Sequence, residues 1–328
     1  MTRRLQIISR ILEAVSQSRS ICIVGHGRPD GDCIGSQIAL TLALRGQGRR
    51  VQCWNQDPVP GKLKFLDPDG VVTMPVASVR LDCVIAVDCA SYERLGDLCA
   101  RLERRRLLIN IDHHASNHRF GDLNWVVPRS PSTGELIHRL LRQAQWPITP
   151  DIANALLTAI STDTGSFQYP STRPSTHRTA AELLTRGADS ARICQEVYQS
   201  YPLGRVRLLR HLYNRFKLRH HNQIGSFWLR RRDYTLTGAK PDDAEGLIEQ
   251  IRDIGSVRVA CLFEELEPGL TRLSLRSKTP AVNVADVAAQ FGGGGHGAAA
   301  GARIPGDARK VERLVLDALK AALNGHQH

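Results

Sequence analysis

The stretch "CIVGHGRPDGDCIGS", Cys22 to Ser36, joins an apolar run to three chemically active side chains within seven residues: His26, Asp30 and Asp32. The apolar part, Ser20 to Gly25, reads as a short buried strand. The residues after Gly31 place Ile34, Ile38, Leu40 and Leu44 at helical spacing and stop at Gly46 and Gly48, as a helix does. Carboxylates at the mouth of a buried strand are costly unless something offsets their charge. The rest of the chain repeats this pattern. "LDCVIAVDCA" (81–90) ends on Asp88, "RLLINIDHH" (106–114) ends on Asp112, His113 and His114, and the helical run before "STDTGSF" ends on Asp163.

Apolar strands that alternate with helices argue for a parallel sheet covered on both faces. VQCW (51–54) and LNWVV (123–127) add strands, and Ser132-Thr133-Gly134-Glu135 reads as a capping box that opens a helix. Helices over 151–162 and 177–187 follow. In such open sheets, ligands bind beyond the carboxyl ends of the strands. The four acidic stretches therefore converge in space despite their separation along the chain.

Beyond Pro202 the texture changes. A basic, helical connector, "RVRLLRHLYNRFKLRHHNQ", leads into a smaller alternating region. That region has strands over 224–229, 257–264 and 271–276, helices over 241–253 and 284–291, a glycine loop, a short strand and a final helix over 307–322. The expected organisation is a domain over 1–195, a basic helical linker over 196–220 and a second α/β domain over 221–328.

The 328 residues are 42% hydrophobic, enough for two cores. No apolar stretch reaches the roughly 18 residues a membrane helix needs. The opening "MTRRLQIISRILEAV" reads as an amphipathic helix rather than a signal peptide. The eight cysteines form no CxxC pair, so we expect reduced packing thiols and a cytoplasmic protein. The net charge of +12 favours an anionic partner such as a nucleic acid or nucleotide. The runs Arg104-Arg105-Arg106 and Arg230-Arg231-Arg232 are read as solvated surface.

Convergence of Asp30, Asp32, Asp88 and Asp163 brings four negative charges together, and two divalent ions balance them. Mixed oxygen and imidazole ligation suits manganese, with other divalent cations less specific. Taken singly, each residue has an ordinary explanation: Asp30-Gly31 is a common turn dipeptide, and an Asp after a strand is often a cap. The set, with two adjacent histidines after an aspartate, is not explained that way. His118, His138, His177, His211, His220 and His221 are read as structural or solvated.

His26-Gly-Arg-Pro-Asp30-Gly-Asp32, Asp88, Asp112-His113-His114 and Asp163, in this order and spacing, resemble the four motifs of the DHH phosphoesterase family. "FGGGGHGAAAGARI" (291–304) resembles the glycine-rich motif of the DHH-associated domain, and "SLRSK" (274–278) its substrate-contacting strand. The length and the pairing of the two domains point to the nano-RNase subgroup, whose members act on short RNA and on 3′-phosphoadenosine 5′-phosphate.

The resemblance implies that His26, Asp30 and Asp88 hold one manganese ion. Asp32, Asp88, His113 and Asp163 hold the other, with Asp88 shared. His114 faces the scissile phosphate, and Asp112 orients the histidines. Two such ions activate a water between them for in-line attack on phosphorus. Arg276, Ser277, Gly294, Gly295 and His296 form a clamp for the far end of a short substrate: glycine lets backbone N–H groups approach an anion, and arginine grips phosphate bidentately. The glycine loop is not a Walker A loop, because no Lys-Ser/Thr follows it.

The expected activity is hydrolysis of short RNA oligonucleotides to mononucleotides, with removal of phosphate from 3′-phosphoadenosine 5′-phosphate. The alternatives are a cyclic or linear dinucleotide phosphodiesterase, an inorganic pyrophosphatase, a processive DNA exonuclease and, in another class, a non-catalytic RNA-binding protein. The glycine-rich motif disfavours the pyrophosphatase, and the chain length leaves little room for an exonuclease's further DNA-binding domains. A binding module has no need of the metal ligands. A homodimer is compatible with this reading, and no membrane partner is expected.

Overall fold

The computed structural model describes residues 3–75 and 79–324. The chain divides into two compact units, Met1–Ser200 and Tyr201–His328.

The first unit opens with α1 (Arg3–Gln17), the amphipathic helix expected there, and runs through β1 (Ser20–Val24), α2 (Gly31–Gly46), β2 (Arg50–Trp54), β3 (Val72–Thr73) and β4 (Leu81–Val87). It continues with α3 (Leu98–Arg101), β5 (Arg105–Asp112), β6 (Leu123–Val126), α4 (Thr133–Ala144), α5 (Pro150–Asp163), α6 (Pro174–Thr185) and α7 (Ser190–Tyr198). Its six strands lie in the order β3-β2-β1-β4-β5-β6, and every pair is parallel. β1, β4 and β5 read as near-continuous buried apolar runs because both faces are covered. On one face Ile23, Ile85 and Ile109 pack with Ile34, Ile38, Leu136 and Leu156; on the other, Val24, Val84 and Ala86 pack with Leu95, Leu98 and Leu102.

The strand order reverses between β1 and β4. Chain from β1 winds outward to β2 and β3, and chain from β4 winds the other way to β5 and β6. Loops leaving the carboxyl ends of β1 and β4 therefore part and leave a crevice, the position where such sheets bind ligands. Asp30 caps α2, its side chain accepting from the Cys33 N–H at 3.0 Å. α2 lies tightly on α5 because Gly35 has no side chain: a Cβ there would stand 2.4 Å from the Ala155 carbonyl oxygen. That close approach brings Asp163, the last residue of α5, to the mouth of β1.

The second unit comprises α8 (Leu203–Tyr213), β7 (Lys217–Arg219), β8 (Ile224–Leu229), α9 (Arg231–Thr237), α10 (Leu247–Arg252), β9 (Val259–Glu267), β10 (Leu270–Ser277), α11 (Val284–Ala289), β11 (Gly294–His296), β12 (Ala299–Pro305) and α12 (Ala308–Asn324). Its mixed sheet has the order β11-β12-β10-β9-β8-β7; β8 and β9 are parallel, and the other pairs are antiparallel. One face packs Leu273 and Leu275 under α11 and α12. The other packs Phe227 and Leu262 with Leu208, Leu212 and Leu247.

Local details depart from the sequence reading. The stretch read as a basic connector forms α8, whose Leu208 and Leu212 are fully buried in the second unit. The helix expected over 241–253 is a 3₁₀ turn (Pro241–Ala244) followed by α10, with Gly246 in left-handed conformation between them. α7 and α9 are short helices that the reading did not mark. The glycine loop is partly ordered as edge strand β11. All eight cysteines are free thiols. Among the described residues, no helix is long and apolar enough to cross a membrane.

Candidate metal centre

The polar ends of β1, β4, β5 and α5 meet at the crevice. Asp88, the residue after β4, sits in left-handed conformation (φ 55°), which an aspartate tolerates better than most side chains. Its N–H donates to Ile111 O of β5 at 3.0 Å, and its carboxylate is buried. The two carboxylate oxygens face different partners. Oδ2 lies 3.4 Å from His26 Nε2, while Oδ1 lies 3.6 Å from His113 Nε2 and 3.7 Å from His114 Nδ1. His113 Nε2 also stands 3.7 Å from Asp32 Oδ2 and 3.3 Å from Asp163 Oδ2.

His26 and His113 are each fixed through the other ring nitrogen. His26 Nδ1 donates to Gly27 O at 2.9 Å and His113 Nδ1 to Ser130 O at 3.2 Å, so each presents Nε2 to the carboxylates. His114 Nδ1 donates to Asp112 Oδ1 at 2.7 Å. Asp112 is fully buried and satisfied by two further donors: the His113 N–H on Oδ1 at 2.8 Å and Asn117 Nδ2 on Oδ2 at 2.6 Å. Its carboxylate thus aims the imidazole of His114 and ties down the backbone between the two histidines.

Three sets of donor atoms each close to within 4.8 Å: Asp88, Asp112, His113 and His114; His26, Cys33 and Asp88; and Asp32, His113 and Asp163. Asp30 stands at the margin, half exposed, 3.9 Å from His26 Nε2, with one oxygen engaged in capping α2. Cys33 also lies beside His26 and Asp88. Burial raises its thiol above the ordinary value.

Electrostatics gives the fit test for a cation. Burial and the charges of Asp88, Asp163 and Asp30 push the Asp32 carboxyl well above its ordinary value. Burial, with Asp88 and Asp30 also opposing ionisation, pushes Asp163 up to about 7 despite His113 nearby. Burial would raise Asp88 too, yet His26, His114 and His113 outweigh it and hold that carboxyl well below the usual range. Burial alone would lower His114, but its bond to Asp112 and the charge of Asp88 lift it to about 9. The site draws positive charge from whatever source is at hand, and its mixture of carboxylate and imidazole donors fits divalent cations.

Residues the sequence reading assigned no role also reach the site. The N-terminus of α4 supplies the Thr133 N–H to Asp32 Oδ2 (2.6 Å) and the Gly134 N–H to Asp32 Oδ1 (2.8 Å). Thr133 Oγ1 donates to Asp88 Oδ1 at 3.0 Å. The capping-box motif located this helix start but carried no information on what it faces. Ser132 does cap, accepting the Glu135 N–H, whereas the Glu135 carboxylate turns to Arg139 and Thr176 instead of reaching back.

The DHH family N-terminal domain matches residues 20–160, and the DHHA1 domain matches residues 234–325. This chain belongs to the DHH family of phosphoesterases. It is 32% identical over 324 residues to a Thermus thermophilus protein named bifunctional oligoribonuclease and PAP phosphatase NrnA, covering 98% of this chain and 94% of that one. The Bacillus subtilis protein of the same name is 28% identical, covering 90% of this chain and 93% of its own. Among solved structures, an exopolyphosphatase-related protein from Bacteroides fragilis superposes with a TM-score of 0.89 at 25% identity, covering 98% of both chains.

In the DHHA1 domain, the expected clamp residues fall on β10 and β11, the two strands that flank β12. Arg276 on β10 and His296 on β11 both register with Ala299 of the intervening β12, so they share one face of the sheet. Arg276 Nε donates to Glu249 Oε1 at 2.7 Å. Gly295 has φ 146°, and a Cβ there would meet Ala299 O at 2.5 Å, whereas Gly294 is exposed with open space around it. Ser277 lies on the opposite face, buried, its hydroxyl donating to Thr279 O at 2.8 Å. Arg276 and His296 thus share a face two strands apart, with Gly294 two residues before His296, and Ser277 faces the other way.

Proposed function

We propose that this phosphoesterase uses two manganese ions to hydrolyse short RNA oligonucleotides to mononucleotides and also removes phosphate from 3′-phosphoadenosine 5′-phosphate. The observation that carries the reading is the Asp88 carboxylate, whose two oxygens face two different donor sets. One shared carboxylate between two imidazole-bearing sets is the arrangement that a pair of cations in a phosphoesterase uses. The near full-length similarity to proteins named oligoribonuclease and PAP phosphatase supports the substrate class. Eight free cysteines fit a reducing, cytoplasmic compartment.

In this reading His26, Asp30 and Asp88 hold one ion; Asp32, Asp88, His113 and Asp163 hold the other. When bound, the ions activate the attacking water and neutralise the phosphoryl oxygens. The chain's own groups do the rest. Asp112 keeps the His114 imidazole aimed and favours its protonated form, so His114 is placed to give a proton to the leaving oxygen. Asn117 holds Asp112 in turn. Arg276, with its guanidinium set by Glu249, grips a phosphate of the substrate, and the exposed Gly294–His296 backbone admits the nucleotide closely. We propose 1–195, 196–220 and 221–328 as the functional division of the chain.

The test is a matched panel of labelled RNA oligomers, 3′-phosphoadenosine 5′-phosphate, cyclic dinucleotides and pyrophosphate, incubated with manganese and with a chelator control. Fastest manganese-dependent turnover is expected on the shortest RNAs, with measurable release of phosphate from 3′-phosphoadenosine 5′-phosphate. Faster turnover of cyclic dinucleotides or pyrophosphate, or RNA binding without hydrolysis, overturns the assignment.

A further inference from the structure

We infer that Thr133 is a positioning residue that sets the rotation of the Asp88 carboxylate and thereby decides how its two oxygens are shared between the two cation positions. The inference rests on the two-ion reading above and names a residue that reading does not use.

Asp88 is attached to backbone in left-handed conformation, and its carboxylate is free to turn about the Cβ–Cγ bond, a broad torsion with little intrinsic preference. Something must choose the plane in which Oδ2 faces His26 and Oδ1 faces His113. The Thr133 hydroxyl is placed to do so. It is fully buried, and it donates to Oδ1 at 3.0 Å. A hydroxyl that donates to one oxygen of a carboxylate holds that oxygen on its own side and leaves the other oxygen on the far side, here toward His26.

The hydroxyl is itself held by a rigid element. Thr133 is the first residue of α4, a 12-residue helix capped by Ser132. Its own N–H and that of Gly134 donate to the two oxygens of Asp32, and Ser36 Oγ donates to Asp32 Oδ1 at 3.3 Å. Thus one helix start fixes a carboxylate from the β1 end through backbone and a carboxylate from the β4 end through side chain. The backbone donors survive Thr133→Val and Thr133→Ser alike, whereas only Thr133→Val removes the hydroxyl that donates to Asp88. This separation makes the role of the hydroxyl testable by itself.

Thr133→Val keeps the branched shape and removes the donor; Thr133→Ser keeps the donor and removes the methyl group. Manganese binding to the full chain is measured by titration calorimetry and by electron paramagnetic resonance, which reads the coupling between paired ions. Loss of an outer hydrogen bond to a ligand typically weakens metal affinity by about 10- to 100-fold. Thr133→Val is expected to weaken at least one manganese site by that amount and to reduce the paired-ion signal at matched metal, while Thr133→Ser restores both. A thermal melt of the metal-free variants shows that each is folded.

Wild-type affinity and coupling in folded Thr133→Val overturn the inference, as does equal loss in both variants, which would assign the effect to packing of the methyl group. If wild-type protein binds a single ion per chain, the two-ion reading fails and this inference falls with it. If wild-type protein shows the coupled pair and Thr133→Val is unaltered, this inference alone fails.

Discussion

In the parallel sheet, Asp32, Asp88 and Asp163 face one another and the imidazoles of His26, His113 and His114. In the mixed sheet, Glu264 meets Arg272, Glu312 meets Arg219 and the Trp228 indole N–H, and Glu249 meets Arg276. Both units bury carboxylates. The three in the mixed sheet have guanidinium partners from the chain, whereas those at the crevice of the parallel sheet face imidazoles, which are cationic only when protonated. Permanent guanidinium partners make rigid structure. Titratable ones leave a demand for positive charge that a bound ion can meet. The contrast agrees with the proposal that the first unit carries the chemistry and that Arg276, already aligned by Glu249, grips the substrate.

The comparison breaks most sharply at Asp88. Asp88→Asn is expected to remove several kcal/mol of transition-state stabilisation, about 10³-fold or more in kcat, with loss of bound manganese. Near-normal turnover by metal-loaded variant would show that Asp88 is not shared.

Arg276→Ala tests the other side. A hydrogen bond between charged groups contributes about 1.5–3 kcal/mol, so KM for dinucleotides should rise about 10- to 100-fold while metal content is unchanged. Unaltered KM would leave Arg276 as a partner of Glu249 and nothing more.

Acid–base behaviour should separate the units as well. In metal-free protein Asp163 ionises near pH 7, against an ordinary value of 3.8. Between those values the folded chain holds more protons at this group than the unfolded chain does. The contribution of Asp163 to stability therefore falls as pH rises from about 4 to about 7. Saturating manganese competes with the proton and should remove this loss. Melting temperatures recorded across that range, with and without metal, check it; coincident profiles would contradict the charge crowding described here.

The smallest effect distinguishes two neighbouring glycines. Gly295→Ala, with φ 146° and a clash against Ala299 O, should cost about 1–3 kcal/mol. Gly294→Ala, with open space around it, should stay within about 0.5 kcal/mol in stability. If the latter nonetheless weakens substrate binding, Gly294 admits the ligand rather than shaping the strand.

Much of the first unit was legible because burial on both faces leaves a continuous apolar signature, and β1, β4 and β5 stand where those runs predict. The second unit was less so. α9 and α10 are only seven and six residues long, too short for helical periodicity to emerge. The basic stretch after Pro202 read as a connector because its arginines dominate its composition, although Leu208 and Leu212 belong to a core. At the site, side chains with distinctive chemistry announced themselves. Backbone donors did not, since every residue but proline has an N–H and only the fold says which ones face a carboxylate.

The sequence by itself specified most of the longer strands, the Ser132 cap and the identities of the acids and imidazoles, because those follow from local periodicity and side-chain chemistry, but not the short strands β3 and β7. Tertiary structure alone decided that Oδ1 and Oδ2 of Asp88 face different partners, that Cys33 sits beside His26 and Asp88, that Ser277 turns from Arg276, and that α4 begins against Asp32. Those outcomes depend on strand order, register and the Gly35 contact between α2 and α5. Such relations join residues as far apart in the chain as Gly35 and Ala155, and no local pattern encodes them.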